Sequence, residues 1–188
     1  MKIGLGGLLI ILIAAFVSCS GSVKQTIPAA APAVTNSSPV ETNTDAADDF
    51  DSALTEFRNT TMDIPFSLKS ADLNLDNSKY YIKNQSIENF MKKSLIPVLT
   101  KVIKTMSSDK VVVISGYASK IGTEEPGKNF IGNIALSKDR AQAVLDYLLK
   151  NTGWDKSKFK IKFYGSSMPL SGIDPADLKN CRVSIDIE

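Results

Sequence analysis

The 188-residue chain contains no histidine and only two cysteines. Without histidine it lacks the commonest general base and the commonest metal ligand. Cys19 and Cys181 stand far apart and belong to no CxxC or Cys/His spacing, so no metal site or other cofactor is implied. A Cys19–Cys181 disulfide stays compatible with the count alone. Excess charge of one sign is also missing, because 22 basic and 20 acidic residues leave a formal net charge of +2. No basic stripe or arm stands out, which argues against nucleic acid as a partner. The sequence has no nucleophile elbow and no convincing carboxylate pair, so no catalytic roles can be assigned and an enzyme is not expected. There is no internal repeat.

A long apolar run occurs once, at the beginning. Met1-Lys2 forms a short positive region, Ile3 to Ala15 an apolar one, and Phe16-Val17-Ser18 a small-residue-biased exit before Cys19. That is the layout of a secretory signal peptide over residues 1–18. The run is too short to favour a free-standing membrane helix of about 20 residues. The residues before Cys19 resemble the lipobox of bacterial lipoproteins, with Phe16 where Leu is usual. The resemblance implies cleavage there and fatty acylation of Cys19, such as by palmitate. An uncleaved signal anchor, or ordinary cleavage leaving a free thiol, would use the same residues. Each buried methylene contributes roughly 0.8 kcal/mol, so two or three acyl chains anchor far more durably than one. If Cys19 is acylated, Cys181 is left as a buried thiol. Ser20, not Asp, after the cysteine resembles the sorting pattern for outer-membrane delivery, which places a lipid-anchored domain facing the periplasm.

Residues 19–47 read as a tether. Pro28, Pro32 and Pro39 break any helix, and large apolar residues are too few to bury a core. As a coil such a spacer measures roughly 30 Å, and fully extended it approaches 90–100 Å. Residues 48–188 form the expected domain. It begins with a short helix over Asp48–Arg58, where Phe50, Leu54 and Phe57 share helical spacing.

The domain's pattern is strand, helix, strand, helix, strand, strand. Met62–Leu68 forms a first strand, with Pro65 favouring an edge. Ile87, Met91, Leu95, Val98, Leu99 and Val102 fall on one face of a helix over Ser86–Thr105, interrupted near Pro97. Lys110–Gly116 is a continuous apolar run suited to an interior strand. Ala141, Val144, Leu145 and Leu148 define a second helix, N-capped by Ser137 and stopped at Gly153. Phe159–Tyr164 and Arg182–Glu188 alternate, apolar in and polar out. The fold class expected is α+β, a single mixed β-sheet with two main helices packed against it.

Four segments carry a closer likeness. Gly116-Tyr117-Ala118-Ser119-Lys120-Ile121-Gly122 resembles G-[HY]-T-D-x-x-G. Residues Asn133 to Ala141 match N-x-x-L-S-x-x-R-A. Gly165-Ser166-Ser167-Met168-Pro169 resembles G-x-S-x-P, and Asn180-Cys181-Arg182-Val183-Ser184-Ile185 resembles N-R-R-V-E-I. Together, in this order, they resemble the OmpA-like family of peptidoglycan-binding domains, which includes the peptidoglycan-associated lipoproteins. The resemblance implies non-covalent grip on the peptidoglycan stem peptide at its diamino acid, commonly diaminopimelate.

That diamino acid presents an ammonium and a carboxylate, so its pocket needs an acid and an arginine. Arg140 supplies the arginine at about the third position of its helix, where unpaired N–H groups and the positive dipole end favour an anion. Asn133 and Arg182 join it by the same resemblance, with a turn asparagine and an ordinary strand-end charge as the alternatives. The acid is replaced by Ser119, and the first Arg of N-R-R-V by Cys181. Losing a charged partner in such a site commonly costs 2–5 kcal/mol, roughly thirtyfold to several thousandfold in affinity. Glu124 or Glu125, in a lengthened 123–131 loop, would compensate by swinging toward Arg140, or would simply solvate the loop. As it stands the pocket favours an anionic group.

Two functions follow. The first is an envelope lipoprotein that binds peptidoglycan through Ser119, Asn133, Arg140 and Arg182 and links the outer membrane to the wall. The second is a degenerate module that keeps the fold without wall binding and serves an envelope or host protein partner.

Overall fold

A computed structural model describes residues 44–188. The expected signal peptide, the expected acylation site at Cys19 and nearly all of the expected tether lie outside the described residues. Helix α1 spans Thr44–Thr60 and so begins inside the segment expected to be tether. Ala46 and Ala47 are strong helix formers, and Asp48 and Asp49 place negative charge near the favourable end of the helix dipole. Ala53 and Phe57 are buried, and with Phe50 and Leu54 at their flanks they dock α1 on α3. At the rim Lys101 Nζ meets Glu56 at 2.6 Å, an exposed pair worth a few tenths of a kcal/mol.

Strand β1 is only Ile64–Pro65, shorter than the expected Met62–Leu68. Phe66 N–H still donates to the Cys181 carbonyl at 2.8 Å, after which the chain leaves the sheet. The predicted helix over Ser86–Thr105 forms in three parts: α2 (Ile87–Phe90), a π-helical stretch (Met91–Leu95) and α3 (Ile96–Thr105). Ser86 caps the start by accepting from Asn89 N–H. Pro97 has no N–H to give to the preceding turn, and the wider π turn ahead of it absorbs the missing bond.

Strand β2 (Val112–Gly116) is buried throughout, as its continuous apolar run predicts. It lies between β3 (Phe159–Phe163), which it pairs in parallel, and β4 (Arg182–Ile187), which it pairs antiparallel. The order β1-β4-β2-β3 makes one mixed sheet. Val112, Ile114, Val183 and Ile185 join the core with the apolar stripes of α3 and α4. The predicted alternation fails at one end of β3, where Phe163 is exposed. β3 is the outer strand, and past Ile161 the core no longer covers it.

Helix α4 spans Asn133–Thr152, so it starts four residues before the expected cap at Ser137. Gly132, at φ +90, turns the chain into the helix. Ser137 is fully buried, and its hydroxyl donates to Ile134 O at 2.8 Å and accepts Gly165 N–H at 3.0 Å. The predicted stop holds, with Gly153 left-handed at φ +68 and its N–H on Leu149 O. Gly116 sets how closely α4 approaches the sheet. A Cβ at that position would lie 1.8 Å from the Ser137 carbonyl oxygen.

Candidate functional site

The segments after β1, after β2 and after β3 converge at one end of the sheet, held largely by backbone contacts. Ala118 N–H donates to Gly165 O and Lys120 N–H to Pro175 O, each at 2.7 Å. At the start of α4, Asn133 N–H donates to Thr123 O and Ile134 N–H to Glu124 O. These bonds occupy donors that the first turn would otherwise offer to an anion.

Arg140 is the eighth residue of α4, not about the third, and lies well away from the dipole end. Its side chain is 0% exposed. Nε donates to Ser70 O at 3.1 Å, Nη1 to Tyr117 O at 2.8 Å, and Nη2 to Ser67 O at 2.7 Å and Leu68 O at 3.1 Å. These four partners are backbone carbonyls, so the fork clamps the 67–70 segment onto the end of β2. Phe66 lies beneath it, 5.7 Å from guanidinium carbon to ring centre. Burial draws the Arg140 pKa below its usual value, countered by the adjacent Cys181.

Ser119 and Cys181, the two departures from the family motifs beside this arginine, touch each other. The buried Cys181 thiol donates to Ser119 Oγ at 3.5 Å. A small hydroxyl–thiol pair therefore stands where the motif carries charge, and among the described residues Cys181 forms no disulfide. Asn133 is buried and joins Thr123 through its backbone, while its Nδ2 has no partner among the described residues.

Arg182 is also buried rather than an ordinary strand-end charge. Its guanidinium sits 3.9 Å above the Tyr117 ring, which stacks on Tyr164 at 5.2 Å between centroids. Nε lies 3.1 Å from Asp63 Oδ2 in an off-axis ion pair, and Nη2 donates to Met168 O at 3.3 Å. Burial raises the Asp63 carboxyl above its usual pKa, with Arg182 drawing it partly back. Tyr117 links the two arginines, its carbonyl taking Arg140 and its ring taking Arg182. Asp63 and Tyr164 went unread in the sequence, where the only hint was an acid next to an edge strand and an aromatic closing an alternating one.

Glu124 turns inward, but not to Arg140. Its carboxylate accepts the Ser166 N–H, at 3.2 Å to Oε1 and 3.3 Å to Oε2, and the Ser166 hydroxyl. Gly165, at φ +52, makes this possible, since a Cβ there would fall 2.1 Å from Glu124 Oε2. Beside this contact opens a cleft of about 530 Å³ whose walls include Lys120, Glu124, Tyr164 and Ser166. The arrangement offers fixed hydrogen-bonding groups, an aromatic face and both signs of charge, which suits binding.

A model described as the OmpA family matches residues 80–180. No curated protein matches the chain. Among solved structures, it is similar to the OmpA-like domain of FopA1 from Francisella tularensis, at 33% identity over 65% of this chain and 68% of that one, with a TM-score of 0.44. The peptidoglycan-associated lipoprotein from Burkholderia pseudomallei aligns at 20% identity over 67% and 89%, with a TM-score of 0.48. The C-terminal domain of Helicobacter pylori MotB aligns at 20% identity over 66% and 83%, with a TM-score of 0.45.

Proposed function

The chain belongs to the OmpA family, and from that premise we propose that it is a non-enzymatic envelope lipoprotein whose domain attaches non-covalently to peptidoglycan. The observation that carries this reading is the meeting of the four motif segments at one end of the sheet, beside an open cleft. In this reading acylated Cys19 anchors the chain in the outer membrane, residues 19–43 span the gap, and the domain faces the periplasm. Ser119, Asn133, Arg140 and Arg182 form the frame of the site. Arg140 and Arg182 hold the loops that present its surface to the stem peptide.

One observation favours a second reading. Arg140 has no exposed surface and spends its donors on carbonyls, which suits a module that keeps the fold and serves a protein partner instead. Co-sedimentation of the purified full chain with isolated sacculi separates the two. Wall binding predicts that the chain pellets with sacculi and is released by soluble muropeptides. A chain that stays in the supernatant refutes it. Ser119→Asp restores an acid beside Arg140 and should increase pelleting if the site is a weakened form of the family's.

A further inference from the structure

We propose that the cleft beside β1 binds a single-chain amphiphile whose head is a phosphate monoester. The inference goes beyond the wall-binding reading and does not depend on it. Three separate segments build the cleft: residues 65–68 at the end of β1, the turn carrying Lys79 and Tyr80, and the turn carrying Leu178 and Lys179. They enclose about 290 Å³, at the lower end of the roughly 300–1,000 Å³ usual for small-molecule sites. That volume suits one alkyl chain rather than two.

Two ammonium groups meet there. Lys79 and Lys179 both line the cleft with exposed side chains, and neither takes part in an ion pair among the described residues. The acids nearest them in sequence, Asp76 and Asp177, lie outside the lining, and the Asp177 carboxylate accepts the Lys179 N–H at 2.8 Å. A phosphate monoester carries a charge of about −1.5 to −2 at pH 7, which two lysines match and a single carboxylate does not.

The head does not account for the rest of the wall, which Pro65, Phe66, Leu68, Tyr80 and Leu178 make largely apolar. Leu178 stays 56% exposed on a turn that is firmly tied. The buried Asn180 accepts Leu170 N–H and donates to Asp174 O, each at 2.8 Å, and Cys181 N–H closes the turn on Leu178 O. Asn77 holds the other turn through Lys79 N–H, and Arg140 holds the Ser67 and Leu68 carbonyls. Three tied segments thus keep an apolar wall in water, which an alkyl chain would cover.

The other clefts differ in kind. Glu124 lines one, and Asp49 and Glu56 line another beside Lys101. The cleft of Lys69 and Lys128 also lacks an acid, but apart from Lys69 its lining comes from the single loop 126–131.

The test titrates the full chain with octyl phosphate, below its micelle concentration, and follows the amides of Lys79, Leu178 and Lys179 by NMR. Inorganic phosphate supplies the charge alone, and octyl glucoside supplies the chain with an uncharged head. Octyl phosphate should shift these amides and bind at least about tenfold more tightly than either fragment. Lys79→Gln and Lys179→Gln, at exposed positions, should each weaken it about tenfold, the share of one charge-assisted contact. Leu178→Ala should weaken octyl phosphate and leave inorganic phosphate unchanged, and Lys128→Gln should change neither. Equal affinity for inorganic phosphate removes the apolar half of the site, and equal affinity for octyl glucoside removes the charged half; either overturns the proposal. Shifts confined to residues 126–131, or wild-type affinity in both lysine variants, overturn it as well.

Discussion

Replacing Arg140 by methionine, apolar and of similar length, isolates what its guanidinium does. Ser67, Leu68, Ser70 and Tyr117 would each keep a carbonyl turned into the space the guanidinium leaves. An acceptor left buried without its partner costs about 1–3 kcal/mol, and contacts to a charged donor stand at the upper end. Against this, removing a buried cation recovers several kcal/mol of desolvation. The balance should resemble other broken buried charge networks, about 3–5 kcal/mol, a large part of a total stability of about 5–15 kcal/mol. For a domain of this size that lowers the melting temperature by roughly 10–15 °C. Arg140→Lys keeps the charge but offers a compact ammonium in place of a planar fork, so it should recover less than half of the loss. Thermal unfolding followed by circular dichroism gives the magnitude, and amide exchange across residues 66–71 should rise most. A methionine variant melting within about 2 °C of wild type would refute the clamp. Any loss of wall binding in the methionine variant therefore has to be read beside its melting curve.

Other substitutions test the frame and the electrostatics. Gly116→Ala puts a methyl against the Ser137 carbonyl, and forcing α4 off the sheet should cost about 2–4 kcal/mol in urea unfolding. Gly165→Ala, at φ +52 and in the path of Glu124, should cost about 1–2 kcal/mol in the same urea assay. The Asp63 carboxyl has its folded pKa raised above the ordinary 3.8, chiefly by burial. A raised folded pKa means tighter proton binding in the folded chain, so its contribution is present below pH 3.8 and lost as pH rises through the folded value. Asp63→Asn should remove a fall in stability just above that pH, measured as urea midpoints at steps between about pH 3 and 6. A wild-type chain gaining stability from Asp63 across that window would contradict the sign.

Much of the fold could be read from periodicity, because burial acts on residues a turn or a strand apart. Ile87 through Val102 chose a face, and Val112–Ile114 announced a strand covered on both sides. What failed was set by distant partners. Ser137 looks like a cap from its neighbours, but the true start of α4 depends on Gly132 and on carbonyls from the 123–124 segment. The motif draws attention to Arg140, yet three of its four carbonyl partners lie some seventy residues away, and a carbonyl leaves no signature in a sequence. For Glu124 the sequence allows either a swing toward Arg140 or plain loop solvation, and its actual target, Ser166, depends on the missing side chain of Gly165.

The two outer strands also bear on how the domain behaves in company. An unpaired strand edge is a template for a neighbouring chain. One edge here is two residues long and ends in Pro65, which has no N–H to extend a ladder. The other, β3, carries Lys160 and Lys162 at alternate positions, Lys162 paired with Glu188, so a second copy arriving edge-on would meet charged side chains. The sheet is thus defended at both margins against growing by accretion, and copies can crowd together without zipping into a common sheet.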